Sequence, residues 1–205
     1  PNWINLANGK WQMTNDKKNE LRNELGIKPK QKVILFVHRL SRRKGAHYLP
    51  EILNKLRDQN IVMIVIGGGP EEENLKSQIS NLKLTNKVRF LGSFPNHQLP
   101  DYYSLADVFI VPSDEEGFPH VLLETMAAGT PFIASRVGGV DDITPKEAHD
   151  YLMRPGDIKA FAQKIKTLLN LEKSELKKLK NSLTQWVRRY DITFALDNFR
   201  KLFIN

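Results

Sequence analysis

"KVILFVHRLSRRKGAHYLPEILNKLRDQNIVMIVIGGGP" (residues 32–70) holds two apolar runs of strand length, 32–38 and 61–67. Between them Leu49, Ile52, Leu53 and Leu56 recur at helical spacing, so 44–59 reads as an amphipathic helix. Neither apolar run alternates with polar residues. Continuous apolar strands are buried on both faces, and two such strands joined by a helix form a parallel pair with a right-handed crossover.

The same rhythm extends along the chain. A helix over 70–84 opens with Pro70 and acids, and "VRFLG" (88–92), a helix over 97–106 and "DVFIVPS" (107–113) follow. Next come a helix over 118–129, "PFIAS" (131–135), a short "YLM" (151–153) and a helix over 157–169. The reading is α/β: a doubly wound parallel sheet, Rossmann-like, whose ligands belong at the carboxyl ends of the strands. Three segments are expected: 1–31 with a leading helix over 15–26, the sheet domain over 32–170, and 171–205 with two helices meeting near Tyr190 and Asp191. Those last helices pack either on the sheet or on a neighbour outside this chain.

The 205 residues, 40% hydrophobic and 26% charged, suffice for one large core. Cysteine is absent, which excludes disulfides and thiolate metal sites and suits a reducing, cytoplasmic setting. Neither long apolar run approaches the length needed to cross a bilayer. The chain opens at Pro1, so it is expected to be a domain cut from a longer protein. The net charge is +8, and residues 154–205 carry 12 Lys+Arg against 5 Asp+Glu, or +7 of it. That basic segment reads as a solvated helix face or as a contact for an anionic membrane surface, which would make the protein peripheral at the membrane's inner face. No aromatic-studded basic strand accompanies the charge, so nucleic acid is not an expected partner.

Each loop after a strand carries chemistry. "HRLSRRKG" (38–45) sets Arg39, Arg42, Arg43 and Lys44 at the opening of a helix. Cations gain nothing from a helix N-terminus unless a phosphate sits above it, so this is either an anion site or a solvated basic turn. "GGGPEEE" (67–73) fits neither the dinucleotide spacing nor a P-loop; its glycines, Gly68 among them, either admit a ligand or make a tight turn. "EEGFPHVLLETMAAGTP" (115–131) places Glu116 before a short helix and Glu124 on its second turn. Pro119 suits the first helical position and Gly129 a left-handed stop, leaving amides from His120 and Val121 onward to face an anion. Glu124 among Leu122, Leu123 and Met126 is costly to bury without donors, and vicinal sugar hydroxyls are suitable ones. In "RVGGVDDI" (136–143) the acids Asp141 and Asp142 suggest no third metal ligand, and the five histidines have no metal-ligand spacing. No Gly-x-Ser-x-Gly or cysteine nucleophile points to a hydrolase triad.

These pieces taken together, "RLSRRKG", "GGGP", "VRFLGSF", "LADVFIVPS" and "EGFPHVLLETMAAGTPFIASRVGG" in this order, resemble a known family. They are similar to the C-terminal, donor-binding domain of retaining glycosyltransferases of the GT-B fold, in the family with a Glu-x7-Glu motif (family 4, group 1). The resemblance implies a nucleotide diphosphate sugar as donor, of UDP, GDP or ADP type, with no metal or other cofactor required. It assigns Arg39 and Lys44 to the diphosphate and leaving-group charge, and Glu116 to the transferred sugar. Gly117, Phe118, Pro119 and His120 would lie beside that sugar, and Val121 and Leu122 on the phosphate side. Glu124 would take the ribose, and Phe94 would flank the base. Catalysis would be electrostatic and would retain the anomeric configuration.

Three positions depart from the family pattern: His38 where Gly is usual, Asp142 where Glu is common, and Pro119 in place of a frequent Gly. The family also closes its cleft with an N-terminal acceptor domain absent from these 205 residues, so this chain alone is expected to bind donor and transfer poorly. A non-catalytic nucleotide- or sugar-sensing module that kept the pocket is the alternative reading.

Overall fold

The computed structural model describes residues 3–6 and 11–193. Its strands are β1 (Lys32–Val37), β2 (Ile61–Ile66), β3 (Val88–Gly92), β4 (Val108–Val111), β5 (Phe132–Ser135) and β6 (Leu152–Met153). Its helices are α1 (Asn15–Glu24), α2 (Leu49–Lys55), α3 (Glu72–Asn81), α4 (Leu99–Leu105), α5 (His120–Ala127), α6 (Val140–Ile143), α7 (Ile158–Leu169) and α8 (Lys173–Trp186), with 3-10 turns between several of them.

The six strands form one parallel sheet in the order β3-β2-β1-β4-β5-β6. Every residue of β2, and of β1 after Lys32, is buried, as the unbroken apolar runs require of strands covered on both faces. The edge strand β3 is mostly half-buried. From β1 the chain winds outward through β2 and β3, then returns to the other side of β1 as β4. The β1–β4 junction is therefore the switch point, the place at the carboxyl edge where doubly wound sheets bind their ligands.

Several element boundaries differ from the sequence expectation. The helix expected over 44–59 is two 3-10 turns, Arg42–Lys44 and Ala46–Tyr48, followed by α2. Gly45 between them is left-handed (φ +68°) and packs so tightly that a Cβ there would lie 1.9 Å from the Pro112 carbonyl oxygen. α3 starts at Glu72 rather than at Pro70, because the Glu71 amide bonds the Leu40 carbonyl (3.0 Å) and holds the turn to the β1 loop. Pro119 is the N-cap of α5 and not its first residue, which shortens that helix to eight residues. Gly129 is the left-handed stop (φ +66°), with the Thr130 amide reaching back to Thr125 O (3.0 Å).

α8 packs on the sheet domain. Leu179 and Leu183 are buried against it, and Trp186 Nε1 donates to Ile143 O (2.9 Å). The N-terminal segment joins there too: Ile4 bonds Tyr190 O through its amide (2.8 Å) and receives the Ile192 amide at its carbonyl (2.9 Å). The second C-terminal helix, expected over 192–203, lies almost entirely outside the described residues.

Leu183 is fully buried. Leu183→Ala should cost about 2–5 kcal/mol and lower the unfolding midpoint by on the order of 10 °C in one cooperative transition. A variant that unfolds like wild type would mean α8 is an appendage.

Candidate functional site

Four loops meet at the carboxyl edge, and glycines let their backbones touch. A Cβ on Gly67 would lie 2.0 Å from His38 O, and one on Gly69 would lie 2.4 Å from Leu40 O. Leu40 N donates to Gly68 O (3.0 Å). The triple glycine thus clamps the β2 loop against the β1 loop, which accounts for it without a ligand. Gly138 (φ +53°) is tighter still, its Cβ position 1.6 Å from Glu116 O, and Gly139 N donates to Gly117 O (3.1 Å). The loop carrying Glu116 is held from both sides.

Glu116 sits at the centre of this packing, with its side chain only 4% exposed. Oε2 accepts from Lys44 Nζ (2.7 Å), while Oε1 accepts from Ser113 Oγ (2.7 Å) and lies 3.3 Å from His38 Nε2. His38 Nδ1 accepts the Arg39 amide (2.9 Å), which leaves Nε2 to carry the proton and donate. Burial alone would raise the Glu116 pKa, but the bonds from His38, Lys44 and Ser113 and the charge of Lys44 hold it at about 2. Glu116 is therefore a fixed anion, and Lys44 is a cation already partnered within the site. Arg39, Arg42 and Arg43 are exposed and form no ion pair with another described residue. A cavity of about 420 Å³ opens beside Arg43, lined also by Asp114, Glu116, Gly117 and Gly138.

Glu124 lies in different surroundings. It borders a cavity of about 810 Å³ with His120, His97, Asp101, Trp3 and Trp11. The donor its half-buried position demands is Tyr103, whose hydroxyl reaches Oε2 at 2.6 Å. Burial pushes the Glu124 carboxyl up, and the Tyr103 bond offsets part of that rise. The two acids thus flank the N-terminus of α5 and open into separate cavities.

The remaining expected residues are less uniform. The Leu122 side chain is fully buried and its amide is spent on Pro119 O (3.0 Å), so it contributes neither to the ligand side. The first-turn amides available to an anion reduce to those of His120 and Val121. Phe118 packs its ring against His120 (5.4 Å) and Tyr190 (6.0 Å), which braces the turn. Phe94 packs against Tyr102 at the β3 loop, with ring centroids 5.0 Å apart and the planes tilted by 41°. Asp141 lies 3.4 Å from Arg136 and 3.9 Å from His149 Nδ1. Among the described residues no group of three or more His, Asp or Glu side chains is placed to hold a metal ion. Ser113, Tyr103 and the Tyr48–Asp114 bond (2.9 Å) were not foreseen from the sequence, where Ser113 and Tyr103 read as part of a strand end and a helix.

The two carboxylates should respond to pH and substitution in opposite ways. Glu116 is ionised more readily folded than unfolded, so its contribution is complete above about pH 4.5 and is lost as pH falls towards 2. Glu116→Gln should lower stability at pH 7 by roughly 3 kcal/mol, with the deficit shrinking across that acid window. Denaturant melts at stepped pH measure this. Glu124 carries a raised pKa, so its ionised form costs stability at neutral pH. Glu124→Gln, still able to accept from Tyr103, should melt at the wild-type temperature or above at pH 7; a marked drop would contradict the desolvation argument.

Residues 17–186 match the family model described as "Glycosyl transferases group 1". The sulfoquinovosyl transferase SQD2 of Arabidopsis thaliana is 31% identical over 145 residues, which are 69% of this chain and 27% of that protein. The D-inositol 3-phosphate glycosyltransferase of Corynebacterium jeikeium (strain K411) is 40% identical over 128 residues, 58% of this chain and 30% of that protein. Among solved structures, Anabaena Alr3699/HepE in complex with UDP superposes with a TM-score of 0.86 at 23% identity, over 98% of this chain and 55% of that one. Sucrose-phosphate synthase from Thermosynechococcus elongatus gives 0.82 at 27% identity, over 98% and 51%. The chain thus spans about half the length of these solved proteins, whose GT-B architecture its sheet matches. The chain belongs to the group 1 glycosyl transferases.

Proposed function

We propose that this chain is the donor-binding half of a retaining glycosyltransferase that moves a sugar from a nucleotide diphosphate sugar to an acceptor such as a growing glycan or a lipid-linked saccharide. The observation that carries this reading is the pair of carboxylates flanking the N-terminus of α5, with Lys44 bonded to Glu116 and the exposed Arg43 lining the cavity that Glu116 borders. Arg39 and Lys44 would take the diphosphate, and the His120 and Val121 amides would add the positive end of a helix. Glu116 would accept hydroxyls of the transferred sugar and Glu124 those of the ribose. The charge that develops on the departing nucleotide would meet cations already in place, so catalysis is electrostatic, with no metal required. Lys44 would exchange part of its contact with Glu116 for the phosphate.

The match to the group 1 family and relatives named as transferases favour an enzyme over a sensing module that merely kept the pocket, and turnover of a nucleotide sugar by the full-length protein separates the two. The chain spans well under half of its curated relatives. Transfer is therefore assigned to the assembly with an N-terminal acceptor domain, and the isolated chain binds donor with little or no turnover. The exposed basic face of α8, with Lys173, Lys177 and Lys178, is the surface that would meet an anionic membrane at the cytoplasmic side. Among the described residues no helix is long and apolar enough to cross one.

Thermal unfolding with UDP, GDP, ADP and their sugar conjugates tests the donor reading. UDP comes first, because Alr3699/HepE was solved with UDP and with UDP-glucose. A nucleotide at about a hundred times its dissociation constant should stabilise by roughly 2.7 kcal/mol and raise the midpoint by about 5–10 °C. Glu124→Ala and Arg39→Ala should each abolish the shift. No shift from any nucleotide would sink the proposal for this chain.

A further inference from the structure

We propose that Tyr103 is the positioning residue of the nucleoside site: its phenol holds one oxygen of Glu124 and leaves the other to accept the vicinal hydroxyls of a ribose. This rests on the donor-binding reading above. Tyr103 lies on α4, in a separate element from Glu124, and is fully buried. Its hydroxyl donates to Glu124 Oε2 at 2.6 Å. The tyrosine is itself fixed at two points. Thr130 Oγ1 donates to its carbonyl (2.6 Å), and its ring stands edge-on to Phe109 at 5.3 Å. Thr130 follows the stop of α5, so one tether joins the end of the helix that carries Glu124 to the residue that orients it.

The physical need is plain. A glutamate on a helix has three side-chain torsions, and freezing them on binding costs on the order of 1–2 kcal/mol unless another group has already done so. A phenol buried beside a carboxylate stays protonated, since burial and the Glu124 charge both raise its pKa, so it is a donor throughout the physiological range. Its bond also draws the Glu124 pKa back down against the effect of burial. The other titratable groups bordering the cavity are His120 on α5, His97 ahead of α4, and Asp101 on α4, which is paired with Lys17 of α1 at 2.6 Å. Removing the phenol should therefore free the carboxylate to rotate and let it take up a proton at higher pH, where a neutral acid accepts hydroxyl bonds poorly.

The test is calorimetric titration of this chain and of Tyr103→Phe with the nucleotide selected by the thermal screen, UDP first, and with its 2′-deoxy analogue. Measurements run at stepped pH on both sides of neutrality, because burial raises the Glu124 carboxyl. Wild type should prefer the ribonucleotide by about tenfold, the worth of one hydrogen bond to a charged group. In Tyr103→Phe the ribonucleotide should bind about tenfold more weakly, the preference should nearly vanish, and affinity should fall more steeply towards acid. A variant that keeps the preference and the wild-type pH profile overturns the proposal, whatever its overall affinity. Should Tyr103→Phe fail to fold, Thr130→Val releases the backbone tether and should narrow the same preference; an unchanged preference there is equally decisive against it. A wild type that binds but ignores the 2′-hydroxyl overturns the ribose role of Glu124 and the positioning role together. A wild type that binds no nucleotide fails at the earlier step, and the two failures are thereby told apart.

Discussion

The structure turns on β1, a strand paired on both sides and buried on both faces. Its neighbour β2 runs in full register with it over six residues, while β4 meets it over only a short stretch near its middle. The winding reverses across β1, and the loops after β1 and β4 meet at the carboxyl edge, with Gly45 packed against Pro112 and the Asp114 amide donating to Arg43 O (3.0 Å). Lys44 comes from the first of these loops and Glu116 from the second, and the two meet at 2.7 Å. Without the switch, these residues, 72 positions apart in the chain, would have no reason to be neighbours.

Backbone proximity turns this edge into a fixed site. Gly45 against Pro112, Gly67 against His38, Gly69 against Leu40, and Gly138 against Glu116 all mark places where a second backbone occupies the position of a side chain. Loops that touch in this way cannot drift independently, so the acid in their midst is held as firmly as a core residue. His38 has a part in this arrangement, since one ring nitrogen meets the Arg39 amide and the other faces Glu116.

The two acids, Glu116 ahead of α5 and Glu124 within it, illustrate opposite uses of burial. Glu116 is nearly inaccessible but surrounded by donors and a cation, so its charge is favoured. Glu124 is less enclosed, yet its desolvation outweighs the single bond from Tyr103, so its charge is disfavoured. A carboxylate of the first kind holds a structure together; one of the second kind is incompletely satisfied and gains from a ligand that supplies hydroxyl groups.

By itself the sequence determined the layered α/β architecture. Unbroken apolar runs at 33–37 and 61–66 can only be strands covered on both faces, and the helical periodicity between them dictates a parallel crossover. It also determined which loops carry charge and where α5 stops, because Gly129 acts through its own backbone preference, whereas Pro119 became the N-cap and not the first helical residue. Tertiary structure alone decided the partners. Tyr103 looks like an ordinary apolar helix position, and only the packing of α4 beside α5 brings its hydroxyl to Glu124. Ser113 looks like the end of a strand, and only the fold of the loop turns it onto Glu116. The triple glycine was ambiguous between ligand and turn until the neighbouring backbone was in place. Propensity and periodicity are local, whereas a hydrogen bond between distant segments depends on distances that only the assembled sheet sets.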